Sequence, residues 1–131
     1  MEMFIENESK YSFDETVEKL SESIVTAGWK VTHIHDLQGT LIKNNFDVLP
    51  VKVLEVCRPD YSVKILSNDS ERIYSSLMPC RLSVYETADG KTKISRMNSG
   101  VLAAQIGGVV EEVMSMAFSD IENILKQYIK N

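Results

Sequence analysis

The sequence predicts an α+β fold: a mainly antiparallel five-stranded sheet with two long helices on one face, in the order β-α-β(4)-α with short extra helices. Three observations carry that prediction. Ser12 and Glu15 stand in capping-box spacing ahead of apolar residues at helical intervals. Cys80–Tyr85 alternates and is followed by a turn signal at Asp89-Gly90. The last stretch of the chain carries one apolar stripe of helical period.

Phe4 and Ile5, within Met1–Glu8, make a short first strand, ended by Asn7-Glu8-Ser9-Lys10. In the capping box each side chain is expected to satisfy a backbone N–H of the other residue. Phe13, Val17, Leu20, Ile24 and Ala27 then share one helix face, Glu15 and Lys19 pair at i, i+4, and Gly28 takes the C′ role, giving a helix over about Phe13–Ala27. Trp29–Asp36 follows as a strand, and strict alternation puts Trp29, Val31, His33 and His35 on one face. Leu37–Asn45 holds one helical turn or a loop through Gly39.

Val51–Cys57, V-K-V-L-E-V-C, is rich in β-branched residues and apolar on both faces, so it reads as a central strand buried from both sides. Pro59 suits the first turn of a short helix, and Asn68-Asp69-Ser70 caps a second over Glu71–Leu77. Pro79 opens the next strand, with Cys80, Leu82 and Val84 on one face and Arg81, Ser83 and Tyr85 on the other. A type I′ turn at Asp89-Gly90 returns Lys91–Met97 antiparallel, with Thr92 and Ile94 sharing a face. From about Leu102 to Ile129 the stripe is Val110, Val113, Ala117, Ile121, Ile124 or Leu125, and Tyr128. Each glycine inside a helix costs about 1 kcal/mol relative to alanine, so Gly107-Gly108 is expected to leave a looser turn before a regular helix from Gly108.

The 131 residues read as a single domain, long enough to bury a core without disulfide or metal staples. The net charge of −5, with no two basic residues adjacent, offers no concentrated stripe for phosphate contacts, which argues against nucleic acid and anionic membranes as partners. No apolar run approaches the roughly 20 residues of a membrane span, and the start lacks a signal-peptide pattern, so a cytoplasmic location is expected. Two cysteines in a reducing compartment are expected to be thiols.

The block from Ser12 through Val31 (S-F-D-E-T-V-E-K-L to A-G-W-K-V), V-L-E-V-C-R-P at Val53–Pro59 and L-M-P-C-R-L-S-V-Y-E at Leu77–Glu86, with the late helix, resembles the domain-of-unknown-function 302 family over nearly the whole chain. The resemblance implies a TATA-binding-protein-like β-α-β(4)-α arrangement, commonly dimeric, with no settled activity. Likeness to a DNA-binding fold carries no function by itself.

Candidate chemistry gathers at two Cys-Arg steps. Cys57 and Cys80 read either as small core residues or as a thiol site at adjoining strand ends, with Arg58 and Arg81 lowering a thiolate pKa. Their separation matches no metal-knuckle spacing, and within a strand each arginine points away from its own cysteine. His33 and His35, on one strand face, would ligate a metal with Cys57 or Cys80 nearby, or else pack. Glu55 interrupts an apolar face; the favoured reading is an edge position or an ion pair with Arg58 or Arg81, and the alternative is a cleft in which a raised pKa would make it an acid or base. Met114-Ser115-Met116 reads as core or dimer surface rather than as a metal box. No Ser-His-Asp order or paired-carboxylate signature supports hydrolysis. The favoured expectation is a homodimeric binding or accessory protein holding a small molecule or soft metal beside Cys57, Cys80, Arg58, Arg81 and Glu55. A thiol-dependent redox or transfer enzyme, and an interaction module dimerising through the stripe on Gly108–Tyr128, are the alternatives. No cofactor is assigned.

Overall fold

In the computed structural model, which describes residues 2–130, strand β1 spans Phe4–Glu8 and the capping box starts helix α1 at Phe13–Thr26. Met1, included in the expected first strand, lies outside the described residues. The Ser12 hydroxyl accepts from the Glu15 amide at 3.3 Å, but the Glu15 carboxylate lies 3.2 Å from that hydroxyl and makes no bond to the Ser12 amide. The box is therefore closed between side chains at its second corner. Gly28 ends the helix at φ +92°, a conformation that favours glycine.

Strands β2 (Lys30–Asp36), β3 (Val51–Cys57), β4 (Cys80–Glu86) and β5 (Thr92–Met97) complete the sheet, in spatial order β1-β5-β4-β3-β2 with every pair antiparallel. Between them lie α2 (Leu37–Lys43), α3 (Pro59–Leu66) and a 3-10 helix over Asp69–Leu77; α4 (Ser99–Ile106) and α5 (Gly108–Leu125) follow. Leu37–Lys43 thus forms a short helix through Gly39, fixed by the Asp36 carboxylate accepting from the Gly39 amide at 3.0 Å.

One face of the sheet carries the core. Leu54, Val56, Leu82, Val84 and Ile94 are buried there against Leu20 and Ile24 of α1 and Ala117, Ile121 and Leu125 of α5. A second cluster joins Ile65 of α3 to Val110 and Val113 of α5. The apolar stripe expected as an alternative dimer surface is consumed here: Val110, Val113, Ala117, Ile121, Leu125 and Tyr128 are all buried within the chain.

Four expectations change. The central strand of the order is β4; β3 lies one place from the edge, and only Leu54 and Val56 of it are buried, because the covering helices pack on a single face. The β4–β5 connection is not a type I′ turn: the Gly90 amide closes on Thr87 at 2.9 Å, and of Asp89 and Gly90 only Gly90 has positive φ. The residues before Gly108 form the two-turn α4, not a looser turn; the break falls on the glycine pair, Gly107 at φ 75° and ψ −171° and Gly108 at φ 61°. Finally, strict alternation in β2 fails at a register shift between Val31 and His33. Val31 pairs with Val56 and His33 with Glu55, so one extra residue stands on β2 and reverses the parity beyond it. Val31 therefore keeps to the core face while His33 and His35 turn to the opposite, open face.

Candidate functional site

Chain geometry brings the two cysteines together. Val56 pairs with Cys80, so Cys57 stands one step beyond that pair at the same end of the neighbouring strand. Pro59 ends β3 here: the residue before a proline is pushed to extended backbone, and Arg58 sits at φ −118°, ψ 102° with Pro59 at the first turn of α3. The returning turn of α3 closes over the strand end, and the Cys57 Sγ lies 3.4 Å from Ser62 Oγ.

Between this end of β3–β4, α3 and α5 lies a cavity of about 50 Å³. Its lining includes Cys57 and Cys80, the thioethers Met78 and Met114, and the rings of Trp29 and Tyr61. Four sulfur-bearing side chains from three separate segments thus share one small, mostly apolar space. Burial, with Cys57 beside it, pushes the Cys80 thiol above its ordinary value.

The arginines do not serve the thiols. Arg58 donates to Asp60 at 3.0 Å and to Asp120 of α5 at 3.1 Å, and its guanidinium lies 4.3 Å from the Tyr61 ring centre. The Tyr61 hydroxyl donates to the same Asp120 carboxylate at 2.7 Å, which raises its pKa, and the ring stands edge-on to Trp29. Arg58 and Trp29 also border a larger cleft of about 660 Å³ between α1 and α5, so this cluster walls the sulfur cavity from it. Arg81 lies on the open face, directly across from Glu55, with its nearest charged group 3.9 Å away and its side chain 66% exposed.

Glu55 belongs to a different constellation. It is hydrogen-bonded by His35 Nε2, flanked by Arg81, and held below the usual carboxylate range first by the His35 hydrogen bond. The His33 and His35 rings meet edge-to-face with centres 4.3 Å apart. Among the described residues no three His, Cys, Asp or Glu side chains gather as a metal-holding group. The expected convergence of thiols, guanidiniums and Glu55 therefore divides in two. Sulfur lies at the strand ends under α3 and α5, while His33, His35, Glu55 and Arg81 lie on the open sheet face; a Cys-His ligand set is not assembled.

Sequence reading missed Met78 and Met114 as partners of the cysteines. Met78 precedes Pro79-Cys80 and Met114 follows the buried Val113, but no spacing in the chain says that the two would meet. It also missed Asp120, the acceptor that draws Arg58 away.

No helix among the described residues is long and apolar enough to cross a membrane. No protein of curated function is detectably similar to the chain. Its fold is shared with a crystal structure of an uncharacterized conserved DUF302 protein from Bacillus stearothermophilus: 22% identity, 97% of this chain and 98% of the other, TM-score 0.85. The family model described as domain of unknown function DUF302 matches residues 5–128, nearly the whole length, and the chain belongs to that family.

Proposed function

We propose that the chain is a non-catalytic binding domain for a soft monovalent metal ion of the Cu(I) class, held by Cys57 and Cys80 with Met78 and Met114. The observation that carries the reading is four sulfur-bearing side chains around one cavity of about 50 Å³. Size restricts the occupant. An apolar cavity of roughly 150 Å³ is needed for a molecule as small as benzene, so this one suits a single ion. Ligand softness then selects among ions: thiolate with thioether favours Cu(I), whereas structural zinc prefers thiolate and imidazole, and the histidines are on the open face.

Binding of a cation releases thiol protons and relieves the cost of placing two thiolates side by side. The thiol-enzyme alternative draws less support, since Arg58 is bound to carboxylates, Arg81 has Glu55 as its nearest charged group, and burial pushes the Cys80 thiol up. The test is anaerobic competition for Cu(I) against a chromophoric chelator. One ion per chain is expected, lost in Cys57→Ser and Cys80→Ser, and weakened about tenfold in Met114→Leu, with zinc binding far more weakly. Absence of Cu(I) uptake by reduced wild-type protein, or uptake unaltered by both cysteine substitutions, would discard the reading.

A further inference from the structure

We propose a second binding site, for a small amphipathic carboxylic acid, in a separate cleft of about 440 Å³ at the end of β4 and β5 where Met78–Pro79 and α5 approach the sheet. The volume lies in the range typical of small-molecule sites, and by proportion to benzene in about 150 Å³ it would hold about 18 non-hydrogen atoms. Its walls are mainly apolar, and Phe4 and Met97, paired across β1 and β5, stand on the same sheet face as Arg81. Phe4 is 63% exposed and Met97 36%, so apolar surface faces water here that a ligand tail would cover.

Charge decides which end of a ligand is polar. In a chain of net charge −5, no Asp or Glu among the described residues lines this cleft, whereas Arg81 and Arg96 do. Arg96 is already engaged: it donates to both Glu122 oxygens, at 2.8 and 2.7 Å, and to Asn7. Arg81 is not. Its guanidinium lies 3.9 Å from Glu55, which is hydrogen-bonded by His35, and donates no side-chain hydrogen bond to any described residue. Ser83 and Ser95, paired across β4 and β5, add two half-buried hydroxyls with no side-chain partner of their own. A planar guanidinium with unused donors beside hydroxyls and an apolar wall fits a carboxylate head with an aliphatic or aromatic tail.

The site does not rest on the metal reading, although Met78, Cys80 and Met114 form a wall common to both cavities. Titration of metal-free, reduced protein with decanoate, followed by calorimetry and by methyl NMR shifts at Met97, is the test. Saturable binding of one decanoate is expected, weakened at least tenfold in Arg81→Met and by raised salt, with decanol binding no more tightly in Arg81→Met than in wild type. Ser83→Ala/Ser95→Ala, which leaves the apolar wall intact, is expected to weaken decanoate several-fold. No saturable binding to wild type, or equal affinity in Arg81→Met, overturns the proposal. So does self-association that Arg81→Met abolishes, which would assign the cleft to a second copy of the chain. Retained decanoate binding in Cys57→Ser, which removes a sulfur ligand outside this cleft, separates the outcome from that of the metal experiment.

Discussion

Arg96 and Glu122 form a bidentate ion pair, 2.8 and 2.7 Å, that ties β5 to α5 from the core face of the sheet. Arg96 is 6% exposed and occupies a position that the alternation of Thr92 and Ile94 makes inward-facing. A buried charge is tolerated there because Glu122 and Asn7 satisfy three of its donors.

Removing the acid orphans that guanidinium. Glu122→Ala is expected to lower stability by about 2–4 kcal/mol, the usual cost of breaking a buried pair reduced for a carboxylate that is one quarter exposed. Arg96→Met/Glu122→Leu, which removes both charges, is expected to lose markedly less. Equilibrium unfolding in guanidinium measures both, and equal losses would show that the orphaned charge is not what sets the cost.

The acid side of the stability curve should carry the signature of Glu55. Its folded pKa is lowered from 4.5, chiefly by the His35 hydrogen bond, so its contribution is complete above about pH 4.5 and is lost as pH falls through the folded value. The urea midpoint of wild type minus that of Glu55→Gln, measured from pH 6 to pH 2.5, should be constant at the upper end and shrink toward zero at the lower. A difference that grows on acidification would contradict the assignment.

Thiol chemistry gives a direct reading of burial. Alkylation of Cys80 in native, metal-free protein at pH 7.5 should be slower than that of an unstructured thiol by tenfold or more, and should accelerate above pH 9. Mass spectrometry of iodoacetamide time courses, residue by residue, tests this, and a fast Cys80 at neutral pH would restore the activated-thiol reading.

Two glycines should respond in opposite directions. Gly107→Ala forces a side chain into φ 75°, ψ −171° between α4 and α5 and is expected to cost about 1–3 kcal/mol. Gly100→Ala lies within α4, where the added carbon would meet Phe118 at an ordinary 3.7 Å, and should be stabilising by about 0.5–1 kcal/mol. Thermal unfolding of the two variants decides it; the same sign for both would contradict the geometry.

What the sequence determined by itself is local. The start of α1 at Ser12, its stop at Gly28, the alternation of Cys80–Glu86 and the buried stripe of α5 follow from capping, backbone freedom and periodicity, all properties of residues a few positions apart. Their sum was enough for the fold class, while the family was legible in the resemblance of the blocks at Ser12–Val31, Val53–Pro59 and Leu77–Glu86. Tertiary structure decided everything that depends on pairing. One extra residue in β2 reverses the faces of His33 and His35, and a one-residue slip exchanges every side chain beyond it. Asp120, sixty-two residues from Arg58 in the chain, takes the guanidinium that the Cys-Arg spacing places next to a thiol in sequence. Met114 reaches Cys57 and Cys80 only because α5 packs across the strand ends. Contacts between distant segments are fixed by which surfaces bury together, and no spacing along a single chain encodes that choice.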